Sequence, residues 1–393
     1  MKKIISKLKS LTKYILYNIF DFLITLQRKE NIKTKQNIKR ILLIRLDAIG
    51  DYILFRNFIE ILKKDFNYCE YEITLIGNKI WKDLAEKLDN DYISKYIWID
   101  VKKFSRNPIY RYKILKEISS THYDVVINPT YSRTYDMDNI VKLVKANKKI
   151  GSIGDLSNIS RWRKKITDNY YTKLIPAKKV IMFEFYRNKE FFEQLLRKKI
   201  DIVKPYIKLP MNYNPTFELP KSDYAVLFIG SSASFRKWDI KNFGEVAKWI
   251  KNNLSYEIVL CSGKEDIDSV KSFEHIYRSS YFNLVGKTNL VDLIFVIKNS
   301  KIIISNETFL PHMAVALDLK NIFVISNGNH FGRFIPYPFE INNSYFPICH
   351  PEIEKDLKNY EKLSNAYGYG SKLDINEIDS QKVIEKIRCN IEV

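Results

Sequence analysis

Short apolar runs alternate along the chain with segments whose apolar positions recur at helical spacing. The run from Ile41 to Ile44 is rich in β-branched residues and ends at charged residues and a glycine. A helical pattern follows from about Asp51 onward. This order predicts a buried strand, a tight turn and a helix. In an open α/β sheet such a turn lies at the carboxyl end of a strand, which is where ligands bind.

The same alternation fills two blocks of the chain. In the first block the further predicted strands are 72–77, part of 92–100, 124–128 and 148–151, and the predicted helices are 79–88, 109–118 and 180–196. In the second block the predicted strands are 224–229, 257–261, 301–305 and 322–325, and the predicted helices are 241–252, 290–297 and about 309–317. Strands that alternate with helices predict parallel sheets with helices on both faces.

A proline-rich span separates the two blocks. Its four prolines are Pro205, Pro210, Pro215 and Pro220. Prolines at this density predict an extended linker, and 393 residues are too many for one ordinary core. We therefore predict a first α/β domain over residues 37–205, a second over 206–370, and a C-terminal helix within 371–393.

Residues 1–36 form a separate basic segment. They contain nine Lys or Arg residues against Asp21 and Glu30, with apolar residues at helical spacing. The longest apolar stretch includes Asn18 and Asp21, so it falls short of the roughly 20 apolar residues of a membrane span. Two interpretations stay open. The segment is a basic amphipathic helix on an anionic membrane surface, or a helix that packs its apolar face onto the protein.

Composition and charge narrow the classes of function. An apolar content of 46% with 28% charged residues is typical of a soluble globular protein. The formal net charge is +20, but the charges are spread along the chain and no nucleic-acid-binding signature occurs. We therefore expect anionic lipid and anionic sugar nucleotides as partners, and no nucleic acid. The four cysteines form no C-x-x-C pair and the five histidines are scattered, which predicts reduced thiols in a cytoplasmic protein and no metal site.

Polar loops follow the predicted strands of the second block. Ser231 and Ser232 come just after a strand and a glycine, and Arg236 and Lys237 lie a few residues further on. Backbone N–H groups, two hydroxyls and two cations could hold a diphosphate, although an ordinary polar turn has the same composition. The chain lacks both the G-x-x-x-x-G-K-[ST] and the G-x-G-x-x-G patterns. This argues against a P-loop nucleotidase and a dinucleotide oxidoreductase.

Three further places carry candidate side chains. Thr308 and His312 are four residues apart, which puts them on one face of a predicted helix. His330 and Arg333 share a loop with an aromatic residue and a glycine. Each of these residues could also be purely structural. Asp51, at the opening turn, could act as a general base or stabilise the start of its helix.

Four segments, in this order, resemble the heptosyltransferase-like glycosyltransferases of family 9. They are Arg45-Leu46-Asp47-Ala48-Ile49-Gly50-Asp51, Ile229-Gly230-Ser231-Ser232 with Arg236-Lys237-Trp238, Leu284-Val285-Gly286-Lys287-Thr288, and Ser305-Asn306-Glu307-Thr308 through His312 and Ala314. The first is similar to the family's R-x-D-x-I-G-D and the last to its S-N-D-T-x-x-x-H-x-A. The resemblance extends from about residue 38 to residue 338.

This resemblance implies the GT-B architecture, in which two Rossmann-like domains with parallel sheets face each other across a cleft. It also implies an inverting, metal-independent sugar transfer that needs no cofactor. The donor would be a nucleotide-diphosphate sugar, with ADP-heptose expected. The acceptor would be lipopolysaccharide core or another surface glycan, lipid-linked or oligosaccharide. Together with the basic segment 1–36 and the unpaired cysteines, this function leads us to expect a cytoplasmic enzyme that is peripheral on the inner face of the cytoplasmic membrane.

The resemblance further implies roles for individual residues. Asp51 would be the general base. The diphosphate would be held by Ser231, Ser232, Arg236 and Lys237. The donor nucleotide and sugar would be contacted by Glu265, Glu307, Thr308 and His312. Apart from the resemblance, Asn306, His330 and Arg333 are candidates for a further site loop. The family's usual aspartate and glycine are replaced by Glu307 and Phe309. These departures leave a non-catalytic sugar-nucleotide-binding protein of the same fold as the alternative.

Overall fold

The computed structural model describes residues 15–26, 38–209, 213 and 215–391 of the chain. The described residues divide into two compact units, each assembled from separate segments of the sequence. Unit 1 takes the residues up to 48 together with 58–178 and 187–200. Unit 2 takes 49–57, 179–186 and the residues from 201 onward.

Unit 1 is built on a six-stranded parallel sheet in the order β3-β2-β1-β4-β5-β6. Its strands are β1 (Arg40–Arg45), β2 (Glu72–Asn78), β3 (Lys95–Ile99), β4 (His122–Asn128), β5 (Lys145–Ser152) and β6 (Lys173–Ile175). Helices are numbered along the chain. The first nine are α1 (residues 15–26), α2 (Ile49–Phe55, in unit 2), α3 (Asn57–Lys64), α4 (Lys82–Leu88), α5 (Val101–Arg106), α6 (Pro108–Ser119), α7 (Tyr135–Leu143), α8 (Arg161–Thr167) and α9 (Glu184–Leu196). Strand β1 is central, between β2 and β4, so its apolar run is buried on both faces.

Unit 2 contains a second six-stranded parallel sheet, in the order β12-β11-β10-β7-β8-β9. Its strands are β7 (Tyr224–Phe228), β8 (Glu257–Cys261), β9 (Phe282–Asn283), β10 (Ile302–Asn306), β11 (Ile322–Ser326) and β12 (Tyr345–Cys349). Its remaining helices are α10 (Ile240–Leu254), α11 (Ile267–Ile276), α12 (Leu290–Lys298), α13 (Phe309–Ala316), α14 (Pro351–Glu354), α15 (Tyr360–Tyr367) and α16 (Ser380–Asn390). Short 3₁₀ turns lie at Lys79–Trp81, Asp168–Tyr170, Ser234–Arg236, Lys264–Asp266 and Ile375–Glu377.

The two parallel sheets confirm the predicted α/β class. The sequence pattern did not predict strands β6, β9 and β12 or helices α5, α7, α8, α11, α14 and α15. Strands β6 and β9 have three and two residues, which is too few to show a periodic pattern. Helix α9 begins at Glu184 rather than at residue 180, and α16 begins at Ser380 after a 3₁₀ turn.

Helix α1 is the described part of the basic segment 1–36; the rest of that prediction lies outside the described residues. The helix is attached to unit 1 through its acidic residue. The Asp21 carboxylate pairs with Nη1 of Arg111 at 2.7 Å and accepts a hydrogen bond from Nδ2 of Asn139 at 3.0 Å. Ile24 is buried one turn away. Among the described helices, none is both long enough and apolar enough to cross a bilayer.

Candidate active site

The turn that follows β1 packs against helix α13, which carries His312. A Cβ atom placed on Gly50 would lie 2.8 Å from Cδ2 and 3.3 Å from Nε2 of the His312 ring. It would also lie 3.7 Å from Cα of Phe309. Only a glycine allows this approach, so α2 begins directly on the imidazole of α13. Asp51 is the next residue, partly exposed in the first turn of α2.

The far end of α2 is also attached to α13, through the proline-rich span. Asn57 exchanges two hydrogen bonds of 3.0 Å with the backbone of Tyr206, and Nη1 of Arg56 donates to the Tyr206 carbonyl at 2.7 Å. The next amide, of Ile207, donates to the carbonyl of Ala316 at 2.7 Å. Both ends of α2 are therefore held, which fixes the position of Asp51 within unit 2.

His312 is a buried, neutral imidazole. Its Nδ1 lies 2.7 Å from the hydroxyl of Tyr337, which is itself buried. Burial lowers the pKa of His312 to about 3, because the charged ring would lose its hydration. With Tyr337 on one side and Gly50 on the other, the ring has a single defined position at the start of α13.

Glu307 is a buried carboxyl at the carboxyl end of β10. Oγ of Ser326 donates to its Oε2 at 2.7 Å, and Nη1 of Arg236 lies 3.7 Å from its Oε1. Burial raises the pKa of Glu307 to about 7, even though Arg236, Ser326 and Asn329 act in the opposite direction. The carboxyl therefore changes charge near neutral pH.

Arg236 connects the first loop of unit 2 with the end of β10. Its Nη2 donates to Oγ of Ser232 at 2.7 Å, and its Nη1 donates to the carbonyl of Glu307 at 3.3 Å. Asn306 holds the same loop, donating to the Ile229 carbonyl at 2.8 Å and accepting from the Trp238 amide at 3.0 Å. These hydrogen bonds attach both ends of the loop to the carboxyl end of β10.

His330 adds a second imidazole in a cationic environment. Its backbone is left-handed, with φ of 60°. Burial, with Arg333, Arg236 and His312 acting in the same direction, lowers the pKa of His330 to about 3. Both imidazoles and the Arg333 guanidinium lie around the Phe334 ring, at 5.6 Å for the His330 ring, 6.0 Å for the His312 ring and 5.5 Å for Cζ of Arg333. The positive potential suits a ligand with several negative charges.

Comparison with protein families bears on what this site does. A family model described as glycosyltransferase family 9 (heptosyltransferase) matches residues 111–337, which is more than half of the chain. The chain belongs to glycosyltransferase family 9. It is therefore a glycosyltransferase, as the four motifs indicated. No curated protein sequence matches it.

Solved structures agree on the fold. A family 9 glycosyltransferase from Veillonella parvula DSM 2008 is 19% identical with a TM-score of 0.66, covering 91% of this chain and 98% of that one. E. coli heptosyltransferase WaaC, solved with ADP, is 14% identical with a TM-score of 0.64, covering 90% and 100%. E. coli ADP-heptose lps heptosyltransferase II is 15% identical with a TM-score of 0.61, covering 89% and 98%. At such identities the likeness shows the fold alone, and it confirms the GT-B fold for this family 9 chain.

Several predicted residues lie apart from this cluster or are engaged by other groups. Lys237 is ion-paired with Asp266, and the Asp266 carboxylate also accepts from Oγ of Ser262. Glu265, which the resemblance assigns to the donor, is exposed. Thr308 is the N-cap residue of α13, but its side chain makes no capping hydrogen bond. Thr308 itself is partly exposed and follows Glu307 directly.

Asp47, the other acidic residue of the opening motif, has a structural position in unit 1. Its carboxylate pairs with Nε of Arg45 at 2.7 Å and accepts from Oγ1 of Thr130 at 3.3 Å. Its carbonyl accepts from Nε1 of Trp81 at 3.0 Å. These contacts stabilise the turn after β1.

Sequence reasoning missed three residues of the site. Tyr337 orients His312, Ser326 binds the Glu307 carboxyl, and Asp266 holds Lys237. The two prolines that flank Tyr337 were a usable signal, because they mark a constrained backbone. Within the described residues, no group of three or more His, Cys, Asp or Glu side chains is arranged to hold a metal ion.

The contact between Gly50 and His312 predicts the effect of a single methyl group. Gly50→Ala should lower the free energy of unfolding by about 1–3 kcal/mol, because the added Cβ would overlap a buried ring that cannot move aside. Thermal or denaturant unfolding of the purified variant measures this. Gly370→Ala is the matched control, since a Cβ there would meet nothing within 4 Å, although the φ of 153° at Gly370 adds some backbone strain. Wild-type stability of Gly50→Ala would contradict the tight packing of α2 on α13.

Proposed function

We propose that this chain is an inverting, metal-independent heptosyltransferase. It transfers heptose from ADP-heptose to lipopolysaccharide core or a related surface glycan, presented as a lipid-linked or oligosaccharide acceptor. The observation that carries the proposal is the packing of Gly50 on His312. It places Asp51 in the same compact unit as the loops that carry Arg236, Glu307 and His330. The likeness to WaaC structures with ADP and with ADP-2-deoxy-2-fluoro heptose supports this choice of donor.

In the proposed reaction Asp51 is the general base. Its carboxylate takes the proton of the acceptor hydroxyl while that oxygen forms a bond to the anomeric carbon of the donor sugar. The bond from the anomeric carbon to the diphosphate breaks at the same time, and its electron pair leaves with the diphosphate. Attack on the face opposite the leaving group inverts the anomeric configuration. Asp51 ends protonated, and the nucleotide diphosphate is released.

The leaving diphosphate gains negative charge that the protein must stabilise. We assign this to Arg236, with the backbone N–H groups and hydroxyls of Ser231 and Ser232 as further donors. Arg333 and His330 add positive potential or hydrogen-bond donors beside it. Lys237 contributes its charge from its position against Asp266. Side-chain cations and preorganised N–H groups can meet this charge without a metal ion, and no cofactor is proposed.

The remaining predicted residues are assigned to the donor's nucleotide and sugar. They are Glu265, Thr308, His312 and Glu307, with Asn306 holding the loop that carries Ser231 and Ser232. Oε2 of the buried Glu307 accepts from Ser326 and Oε1 lies 3.7 Å from Nη1 of Arg236, so the carboxyl has a fixed orientation. We infer that it selects for the donor sugar, because its side chain is one methylene longer than the family's usual aspartate.

A non-catalytic sugar-nucleotide-binding protein is the second candidate. Glu307 and Phe309 favour it, because both replace usual family residues at the start of α13. Both candidates predict nucleotide binding, which a thermal shift would report, since a ligand at 100 times its Kd stabilises by about 2.7 kcal/mol. Only the enzyme predicts turnover.

The test is a transfer assay on the purified protein with a panel of nucleotide sugars and a core oligosaccharide that lacks heptose. We expect ADP release that depends on the acceptor, and a product heavier by one heptose with inverted anomeric configuration by NMR. Binding of ADP-heptose without acceptor-dependent release would favour the second candidate. Transfer from a uridine or guanosine donor would overturn the choice of nucleotide while keeping the enzyme class.

A further inference from the structure

The apolar side chains of α1 face outward from unit 1. They recur at spacings of four, three, one and three residues, which places them along one stripe of a helix. The stripe consists of Ile15 (49% exposed), Ile19 (48%), Phe22 (61%), Leu23 (38%) and Leu26 (45%). A soluble protein rarely exposes five large apolar side chains together without a partner.

The opposite side of α1 is fixed to the protein by polar contacts. The Asp21–Arg111 ion pair is buried, with side chains 7% and 1% exposed, and Asn139 binds the second carboxylate oxygen. The Arg111 guanidinium also lies 4.4 Å from the Tyr17 ring. Since Asp21 is the only acidic residue of α1 and it points inward, the outward stripe carries no negative charge.

A second exposed apolar and basic element follows β5. Within α8, Trp162 is 61% exposed and Ile166 is 48% exposed. Between and beside them, Arg161, Arg163 and Lys165 are exposed as well. This alternation of a tryptophan and an aliphatic residue with cations is typical of segments that lie in a membrane interface.

Both elements flank helix α7 of unit 1. Asn139 of α7 binds Asp21 of α1, and the ring of Tyr135, one turn earlier in α7, lies 5.3 Å from the guanidinium of Arg163. The two apolar and basic elements are therefore joined to one helix in a single compact unit.

We propose that α1 and α8 together form a docking surface for an anionic lipid membrane. The choice of lipid rests on charge. Five lysines precede α1 in the first 13 residues, Arg28 and Lys29 follow it, and α8 adds three exposed cations. Apolar stripes bordered by cations bind surfaces that offer both hydrocarbon and negative charge. The docking is independent of which sugar the enzyme transfers, and it would hold the enzyme peripherally on the inner face of the cytoplasmic membrane.

The experiment is co-sedimentation of the full chain with vesicles. Vesicles of phosphatidylglycerol and phosphatidylcholine should bind the protein, vesicles of phosphatidylcholine alone should bind it at least about tenfold more weakly, and binding should weaken as salt rises. Equal binding to both compositions, or no binding to either, would overturn the proposal. Absence of binding to either composition is the result expected if another part of this chain covers the stripe.

Two pairs of variants test the two elements separately. Ile19→Ser with Phe22→Ser should lower the partition coefficient by at least about tenfold, because the lost side chains no longer enter the membrane. The matched control is Phe66→Ser, which removes a side chain that is 91% exposed elsewhere in unit 1. Arg161→Glu with Lys165→Glu should cause a similar loss. Its matched control is Lys248→Glu with Lys271→Glu, an identical change of net charge at exposed positions of unit 2.

The pattern of losses decides between lipid and protein as the occupant. Wild-type vesicle binding by either test variant would remove that element from the proposal. If Ile19→Ser with Phe22→Ser instead converts an oligomer to a monomer in solution and leaves vesicle binding unchanged, the stripe is a self-association surface and the proposal is wrong. Transfer to a soluble acceptor should be unchanged in all variants, so failure of this proposal is distinguishable from failure of the proposed function.

Discussion

Asp51→Asn should lower kcat for sugar transfer by about 10²–10⁴-fold while ADP binding stays within about twofold of wild type. Asparagine has nearly the same shape as aspartate but cannot accept the proton of the acceptor hydroxyl. The fold should be retained, because α2 is held by Gly50 at one end and Asn57 at the other, and neither contact involves the Asp51 side chain. Steady-state kinetics with saturating donor and acceptor, with ADP titration by calorimetry, measures both quantities.

Asp47→Asn is the control for this prediction because it changes the other carboxylate of the same motif. Asp47 pairs with the buried Arg45, so removing its charge should reduce stability by weakening a buried ion pair. The remaining folded enzyme should keep most of its kcat. If Asp51→Asn transfers heptose at the wild-type rate, Asp51 is not the base.

Glu307→Gln should change how the stability of the protein depends on pH. The pKa of this buried carboxyl is about 7 in the folded chain, against an ordinary value of 4.5 in an unfolded one. The folded state therefore holds the proton more tightly, and the stability that this provides is fully present below pH 4.5. It is lost as pH rises through 7, by about 3 kcal/mol in total. Glutamine does not titrate, so the variant should not show this loss.

Urea unfolding of wild type and Glu307→Gln at pH 5 and pH 8 measures the effect. The stability of the variant relative to wild type should be higher at pH 8 than at pH 5 by about 2.5 kcal/mol, because the unfolded chain has already lost part of this proton at pH 5. A constant effect of the amide on Arg236 or Ser326 is the same at both pH values and cancels. Glu265→Gln is the matched control, because it makes the same chemical change at an exposed carboxyl in another loop of unit 2. Equal differences at both pH values would show that Glu307 does not change charge in this range.

Ionisation of Glu307 should also affect donor binding, because Arg236 lies beside both Glu307 and the loop assigned to the diphosphate. Above pH 7 an ionised Glu307 would compete with the donor phosphates for that guanidinium. We therefore expect ADP affinity to fall as pH rises from 6 to 8 in wild type, and to fall less in Glu307→Gln. Calorimetric titration of ADP at each pH measures this.

Much of the fold was predictable because it depends on the order of apolar and polar residues within short segments. The run Ile41–Ile44 and the central residues of β4, β7 and β11 are apolar, as a strand covered on both faces requires. The motifs that indicated family 9 depend on residues adjacent in sequence. The short edge strands escaped prediction because two or three residues carry no period, and their stability comes from the neighbouring strand.

The residues of the candidate site also fall into two groups, those that local sequence predicts and those that it does not. Asp51, Arg236, Glu307 and His312 could be named from sequence, because each belongs to a short motif with fixed spacing. Tyr337, Ser326 and Asp266 could not, because each acts on a partner 19 or more residues away. The pKa values near 3 for His312 and near 7 for Glu307 also have no sequence signature, since burial alone produces them.

Sequence alone established two α/β blocks with parallel sheets, a family 9 motif order and an acidic residue at the opening turn. It left Asp51 equally suited to starting a helix or accepting a proton. The tertiary structure decided what lies beside that turn, because Gly50 has no side chain and lets α2 rest on the His312 ring. It also decided which face of α1 is exposed, since the pairing of Asp21 with Arg111 turns the polar side inward. Both outcomes depend on contacts between residues far apart in the chain, and such contacts leave no periodic trace in the sequence.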